Sequence, residues 1–250
     1  MCIRDSDHAD IFDDLTPILK QFSHLLRTIP AIGQVVFHEN DQTTKHLVDK
    51  ENWFDVYSIG NDKKFYYDET KNLFIFNGKE YDLDELPFFG EHNYKNALMA
   101  MCLTYLCDVP YEESFQALKN YSGVKRRLEV IFHGNTHLVY DDFAHHPTAI
   151  EAVSEAIKSK YASKMIGIIE LASNTMKSGR HGNALIDSTK NFDKIYFLDH
   201  ENTLNDANSF SSLEKIIDDL KKVICDYETI IIMTNKDSQI ISREIIKLCN

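Results

Sequence analysis

The sequence predicts an α/β protein in two parts, a mixed first part and a second part built on a mostly parallel sheet. Three observations predict it. Beyond about residue 127, apolar strand-like runs alternate with helical stretches, the pattern of βαβ units. Before that point, Asn77-Gly78 separates Leu73–Phe76 from Lys79-Glu80-Tyr81, a strong hairpin signal. At the start, apolar residues recur at Ile11, Leu15, Ile18, Leu19, Phe22, Leu25 and Leu26, the spacing of a helix with one buried face.

That first helix is predicted over Ile11–Ile29, with Pro17 inside the pattern and Pro30 ending it. Strands follow at Gln34–His38, Lys64–Tyr67 and Leu73–Phe76, then helices at about Tyr94–Leu106 and Glu112–Leu118. Gly123–Arg127 reads as a domain joint, so the parts are taken as residues 1–123 and 124–250. In the second part the expected strands are His137–Tyr140, Met165–Leu171, Lys194–Leu198 and Thr229–Met233. Helices are expected at Ala149–Lys158, Leu213–Val223 and Gln239–Leu248. Ligands of such sheets sit at the carboxyl ends of the strands, where the segments after Tyr140 and Leu171 fall.

The composition narrows the function class. Net charge is 27 − 39 = −12 with no basic stripe, which argues against nucleic acid as a partner. Cys2, Cys102, Cys107, Cys225 and Cys249 form no CxxC pair, so packing in a reducing compartment is expected rather than a thiolate zinc site. There is no leader-like segment and no apolar run long enough to span a bilayer; a cytoplasmic protein is expected, with no membrane partner. The abrupt polar opening, Met1 to Asp10, leads us to expect that the chain begins inside a larger protein and that residues 1–6 are not native.

Five clusters carry chemistry. In Gly90-Glu91-His92-Asn93-Tyr94-Lys95-Asn96, Asn93 and Asn96 share a helix face, and their carboxamides suit the edge of a base. Capping by His92 or Asn93 is the plainer alternative. Lys125-Arg126-Arg127-Leu128-Glu129 offers planar cations suited to phosphate, or simply a solvated linker. Asp141-Asp142-Phe143-Ala144-His145-His146 brings two carboxylates and two imidazoles to a strand end, groups that handle protons, ribose hydroxyls or Mg²⁺; otherwise it is a polar loop capped by Thr148. Ser173-Asn174-Thr175-Met176-Lys177-Ser178-Gly179-Arg180-His181 suits a carboxylate-bearing substrate, or is an ordinary loop. Asp7-His8-Ala9-Asp10 is either a helix cap or includes a metal-binding imidazole.

Together, the Gly-x-His-Asn-x-x-Asn-Ala element, Arg-Arg-Leu-Glu and Asp-Asp-Phe-Ala-His-His-Pro resemble the Mur ligase family, ATP-dependent amide-forming enzymes of peptidoglycan synthesis. The likeness implies the later part of the central domain, mixed α/β with a hairpin region, followed by a Rossmann-like C-terminal domain. Asp7–Leu15 and Ser173–Lys177 are most similar to members that join a murein tripeptide to UDP-N-acetylmuramate through an acyl phosphate. Members that add L-alanine, and a non-catalytic module of the same fold, stay open as alternatives.

The resemblance further implies ATP and Mg²⁺ as cofactors. Asn93 and Asn96, with His92 beside them, would face adenine, Arg127 would hold phosphates, Asp142 would lie on the ribose side, and His8 would bind Mg²⁺. His145, His146, Ser173, Asn174 and Lys177 would lie near the incoming peptide, His145 and Arg127 taking part in catalysis. Two departures stand out. No G-x-x-x-x-G-K-[ST] loop occurs, so the 250-residue chain alone is not expected to ligate. Leu171-Ala172 replaces the family's Pro-Arg before Ser-Asn-Thr-Met-Lys, and Asn235-Lys236-Asp237-Ser238 replaces a Gly-rich segment.

Overall fold

A computed structural model describes residues 15–51, 53–60, 64–172 and 182–249. The chain divides into two compact units, the first ending at Ser122 and the second beginning at Gly123.

In the first unit, helix α1 (Leu15–Leu26) buries Ile18, and Pro17 sits in its first turn, where no backbone N–H is needed. A βαβ unit follows: β1 (Gln34–His38), α2 (Gln42–Lys50) and β2 (Asp55–Ile59), the strands pairing in parallel from Gln34↔Asp55 to His38↔Ile59. Asp41 caps α2 by accepting from Thr44 N at 3.1 Å. Strands β3 (Phe65–Asp68), β4 (Leu73–Phe76) and β5 (Lys79–Asp82) form an antiparallel sheet. The β4–β5 turn is the expected two-residue one, with Asn77 at φ 51° and Gly78 at φ 83°, the left-handed pair of a type I′ turn. Asn77→Ala places a Cβ-bearing residue without a turn-stabilising amide at that φ; we expect about 1 kcal/mol less stability, read from the urea midpoint at unchanged slope.

Helices α3 (Glu91–Leu106) and α4 (Tyr111–Lys119) complete the unit and close a core of Phe74, Phe76, Leu98, Met101, Cys102 and Phe115. Cys102 is a packing residue, as expected, whereas Cys107 at the end of α3 is exposed.

The second unit holds β6 (Glu129–His133), β7 (Leu138–Asp142), α5 (Pro147–Lys160), β8 (Met165–Glu170), α6 (Gly182–Asp187), β9 (Lys194–Leu198), β10 (Ser209–Phe210), α7 (Leu213–Val223), β11 (Thr229–Met233) and α8 (Gln239–Cys249). The sheet order is β10-β9-β8-β11-β7-β6. All neighbours pair in parallel except β6, which runs antiparallel to β7. The last strand, β11, is therefore inserted between β7 and β8. Ile230, Ile231, Ile232 and Met233 are all fully buried, as a strand covered on both faces requires. No helix among the described residues is long and apolar enough to cross a membrane.

Candidate functional site at the carboxyl edge of the sheet

Because β7, β8, β9 and β11 are parallel, their carboxyl ends deliver Asp141-Asp142, Glu170, Asp199 and Thr234–Ser238 to one edge of the second unit. Both carboxylates of the pair are buried, Asp141 at 5% and Asp142 at 2% exposure, and alternation along β7 sends them to opposite faces.

Asp142 accepts two backbone N–H bonds, from Leu128 to Oδ2 and from Ala144 to Oδ1, each 2.7 Å. Burial, only partly offset by these bonds and by nearby Arg127, raises its carboxyl above the ordinary aspartate value. Asp142, expected on the ribose side of a nucleotide, binds the linker to the sheet, each of its oxygens accepting from one backbone N–H. The linker it holds is contorted. Gly123 has φ 82°, Arg126 59° and Leu128 48°, and each non-glycine residue in this region costs about 1–2 kcal/mol. The conformation is fixed by Asp142, by Arg126 N donating to Glu129 Oε2 at 2.8 Å, and by Phe143 N donating to Arg126 O at 2.9 Å. Arg127 is presented outward, exposed, with its guanidinium carbon 5.5 Å from the centre of the Phe143 ring.

The histidines that follow are distinct. His145 is half-buried and its Nδ1 lies 2.8 Å from the carbonyl oxygen of Phe143. A carbonyl only accepts, so Nδ1 carries the hydrogen and the neutral ring keeps its lone pair at Nε2. His146 is buried, with Nδ1 3.0 Å from Thr148 Oγ1, and it occupies the N-cap position of α5 with Pro147 in the first turn. Thr148 is thus not the cap.

On the other side of β7 the sequence offers Asp141 and Arg126 only as members of their clusters, and Ser238 only as part of the segment that replaces a Gly-rich one. Asp141 Oδ2 accepts from Ser238 Oγ at 2.5 Å and lies 3.4 Å from Arg126 Nε. Arg126 Nη2 also donates to the carbonyl oxygen of Thr234, whose hydroxyl donates to Glu170 Oε2 at 2.5 Å. The sequence signal of Arg126 and Asp141 is membership of the same clusters as Arg127 and Asp142; the partners at Thr234 and Ser238 are 108 and 97 residues distant.

In the first unit, α3 begins at Gly90 (φ 96°) without any side-chain cap, so neither His92 nor Asn93 caps it. Asn93 Nδ2 donates to Phe89 O at 2.8 Å, tying the preceding loop to the first turn. Asn96 is exposed and His92 half-buried. A cavity of about 380 Å³ on this unit, lined by Leu73, Tyr81, Phe115, Glu85 and Glu112, involves none of the expected site residues. Two of its acids are already paired, Glu112 with Lys79 and Glu85 with Lys119. His8, Ser173, Asn174 and Lys177 lie outside the described residues, and among the described residues no group of three or more His, Cys, Asp or Glu is arranged to hold a metal.

Comparison with known proteins adds to this geometry. Residues 5–104 match the Mur ligase middle domain, and residues 126–244 the Mur ligase glutamate ligase domain. The chain is 35% identical over 202 residues to the UDP-N-acetylmuramate–L-alanyl-γ-D-glutamyl-meso-2,6-diaminoheptandioate ligase of Haemophilus influenzae, covering 78% of this chain and 45% of that one. It is 36% identical over 199 residues to the same-named ligase of Escherichia coli, covering 77% and 44%. It is 29% identical over 235 residues to a UDP-N-acetylmuramate–L-alanine ligase of Hydrogenobaculum, covering 89% and 51%. The chain thus spans about half the length of these relatives. A murein peptide ligase structure from Psychrobacter arcticus superimposes with a TM-score of 0.68 at 28% identity, covering 96% of this chain and 56% of that one. With its two domain matches covering most of its length, the chain belongs to the Mur ligase family.

Proposed function

We propose that this chain is the nucleotide- and acceptor-handling half of an ATP-dependent ligase that joins L-alanyl-γ-D-glutamyl-meso-2,6-diaminopimelate to UDP-N-acetylmuramate in peptidoglycan recycling, in the cytoplasm. The observation that carries this reading is the 35–36% identity to two ligases named for that reaction. In the reaction, a muramate carboxylate oxygen attacks the γ-phosphorus of ATP, releasing ADP and leaving an acyl phosphate. The tripeptide amine then attacks the acyl carbon and phosphate departs. Positioning and neutralisation of charge dominate such chemistry.

The residues fit these roles unevenly. Arg127 has an exposed planar fork of donors, suited to phosphate oxygens. Asn96, exposed one turn beyond Asn93, has a free face for the edge of a base. His145, with its lone pair held at Nε2, is suited to take the proton that the attacking amine must lose. Asp142 accepts one backbone N–H at each oxygen, and through Leu128 it holds the Arg127 segment in place. His146, Ser173, Asn174 and Lys177 are assigned to the acceptor side and His8 to Mg²⁺ on the resemblance alone.

The L-alanine ligase is kept as a second reading, because the Hydrogenobaculum relative matches over 89% of this chain. A chimera carrying the preceding half of the Escherichia coli relative ahead of this chain separates the two. We expect ADP release that depends on UDP-N-acetylmuramate and tripeptide, little turnover with L-alanine, and none from the 250-residue chain alone. Preference for L-alanine would replace the first reading with the second.

A further inference from the structure

Among the described residues Arg127 makes no ion pair of its own, so the backbone on either side sets where its side chain leaves the linker, beside the Phe143 ring. That backbone carries left-handed φ values at both neighbours, Arg126 and Leu128, a conformation that persists only when its surroundings fix it. Asp142 and Glu129 hold main-chain N–H groups. The Arg126 side chain does something different, because it reaches across the sheet edge.

Its Nη2 donates to Thr234 O at the end of β11, and its Nε lies 3.4 Å from Asp141 Oδ2 at the end of β7. Both anchors are themselves fixed. Asp141 Oδ2 accepts from Ser238 Oγ, just ahead of α8, and the Thr234 hydroxyl donates to Glu170 at the end of β8. Side-chain exposure is 23% for Arg126 and 7% for Asp141, so each charge needs the other. The Arg126 guanidinium carbon is also 5.3 Å from the Phe143 ring centre, the ring that Arg127 approaches at 5.5 Å. Two like charges therefore share one aromatic platform, and Arg126 is the one anchored to the sheet.

We propose that Arg126 is the positioning residue of the site: a staple across the ends of β7 and β11 that holds the linker in its left-handed form and so keeps Arg127 presented for phosphate. The job requires arginine. A lysine ammonium brings the charge but not a planar group that donates to a carbonyl while its other edge lies against a carboxylate. This inference rests on the reading of Arg127 as a phosphate-binding residue.

The test uses the 250-residue chain, with inorganic tripolyphosphate as the probe and amide hydrogen exchange at Leu128 as the local readout. In Arg126→Lys, which keeps the charge, we expect Leu128 N–H to exchange about tenfold faster and tripolyphosphate to bind about tenfold more weakly, the scale of one charge-assisted hydrogen bond, with the thermal midpoint little changed. Arg127→Ala is expected to abolish tripolyphosphate binding while Leu128 stays protected. Wild-type exchange and affinity in Arg126→Lys would overturn the staple. Unchanged affinity in Arg127→Ala would overturn the phosphate role beneath it, and the proposal with it. The two failures read out in different variants. Arg126→Ala should show the same changes at larger amplitude if it folds, and Arg126→Lys decides if it does not.

Discussion

Arg127→Ala, placed in a chain completed with the preceding half of the Escherichia coli relative, is expected to lower turnover about 10²- to 10³-fold, the effect of removing one preorganised donor from developing charge. The expectation follows from its setting. The side chain is exposed, stacked near Phe143, and carried on a linker clamped by Asp142. Its guanidinium is not part of the buried core of its unit, so the variant should unfold at the wild-type temperature. Steady-state ADP release gives the answer, and wild-type turnover would remove Arg127 from the chemistry.

Asp142→Asn should act on stability instead. The carboxylate accepts from two backbone N–H groups at 2.7 Å, and an amide turns one of its two acceptors into a donor facing a donor. Leaving one buried N–H without an acceptor costs about 1–3 kcal/mol, and the left-handed linker loses a support. The pH dependence has a definite sign. Burial holds the Asp142 carboxyl above its unfolded value, so folding retains its proton more tightly than the unfolded chain does. That contribution is complete below the unfolded pKa and is lost as pH rises through the folded one. The stability gap between wild type and Asp142→Asn should therefore be widest on the acid side and narrow as the pH rises. Urea unfolding across a pH series checks this; a gap that widens with pH would contradict it.

The elements most legible in the sequence were those whose apolar pattern is decided locally. Leu213–Val223 and the Asn77-Gly78 hairpin fall where periodicity and turn chemistry put them. Strands β8, β9 and β11 announce themselves as apolar runs because both of their faces are covered. Helix α2 was missed since Gln42–Lys50 buries only Leu47 and Val48, too few to make a period. Strands β2 and β6 were missed too. Each is short, and β6 is an edge strand whose alternation is broken by a bulge near Ile131. Strand β10 has just two residues.

The candidate site divides along the same line. Arg127, Asp142 and His145 are visible as residue types in a pattern, but their assignments depend on the fold. Asp142 meets the Leu128 amide only because the linker doubles back to it, and the His145 tautomer is set by the Phe143 carbonyl. Arg126 and Asp141 are visible in the sequence only as members of the same clusters, since what distinguishes them is contact with Thr234 and Ser238 far along the chain.

The most direct measurement follows one oxygen atom. With UDP-N-acetylmuramate labelled with heavy oxygen in its carboxylate, ATP and the tripeptide, the completed enzyme should release ADP and inorganic phosphate carrying one labelled oxygen, because that oxygen bridges the acyl phosphate before it leaves. Label appearing in AMP, or amide formed with unlabelled phosphate, would contradict a ligase that works through an acyl phosphate.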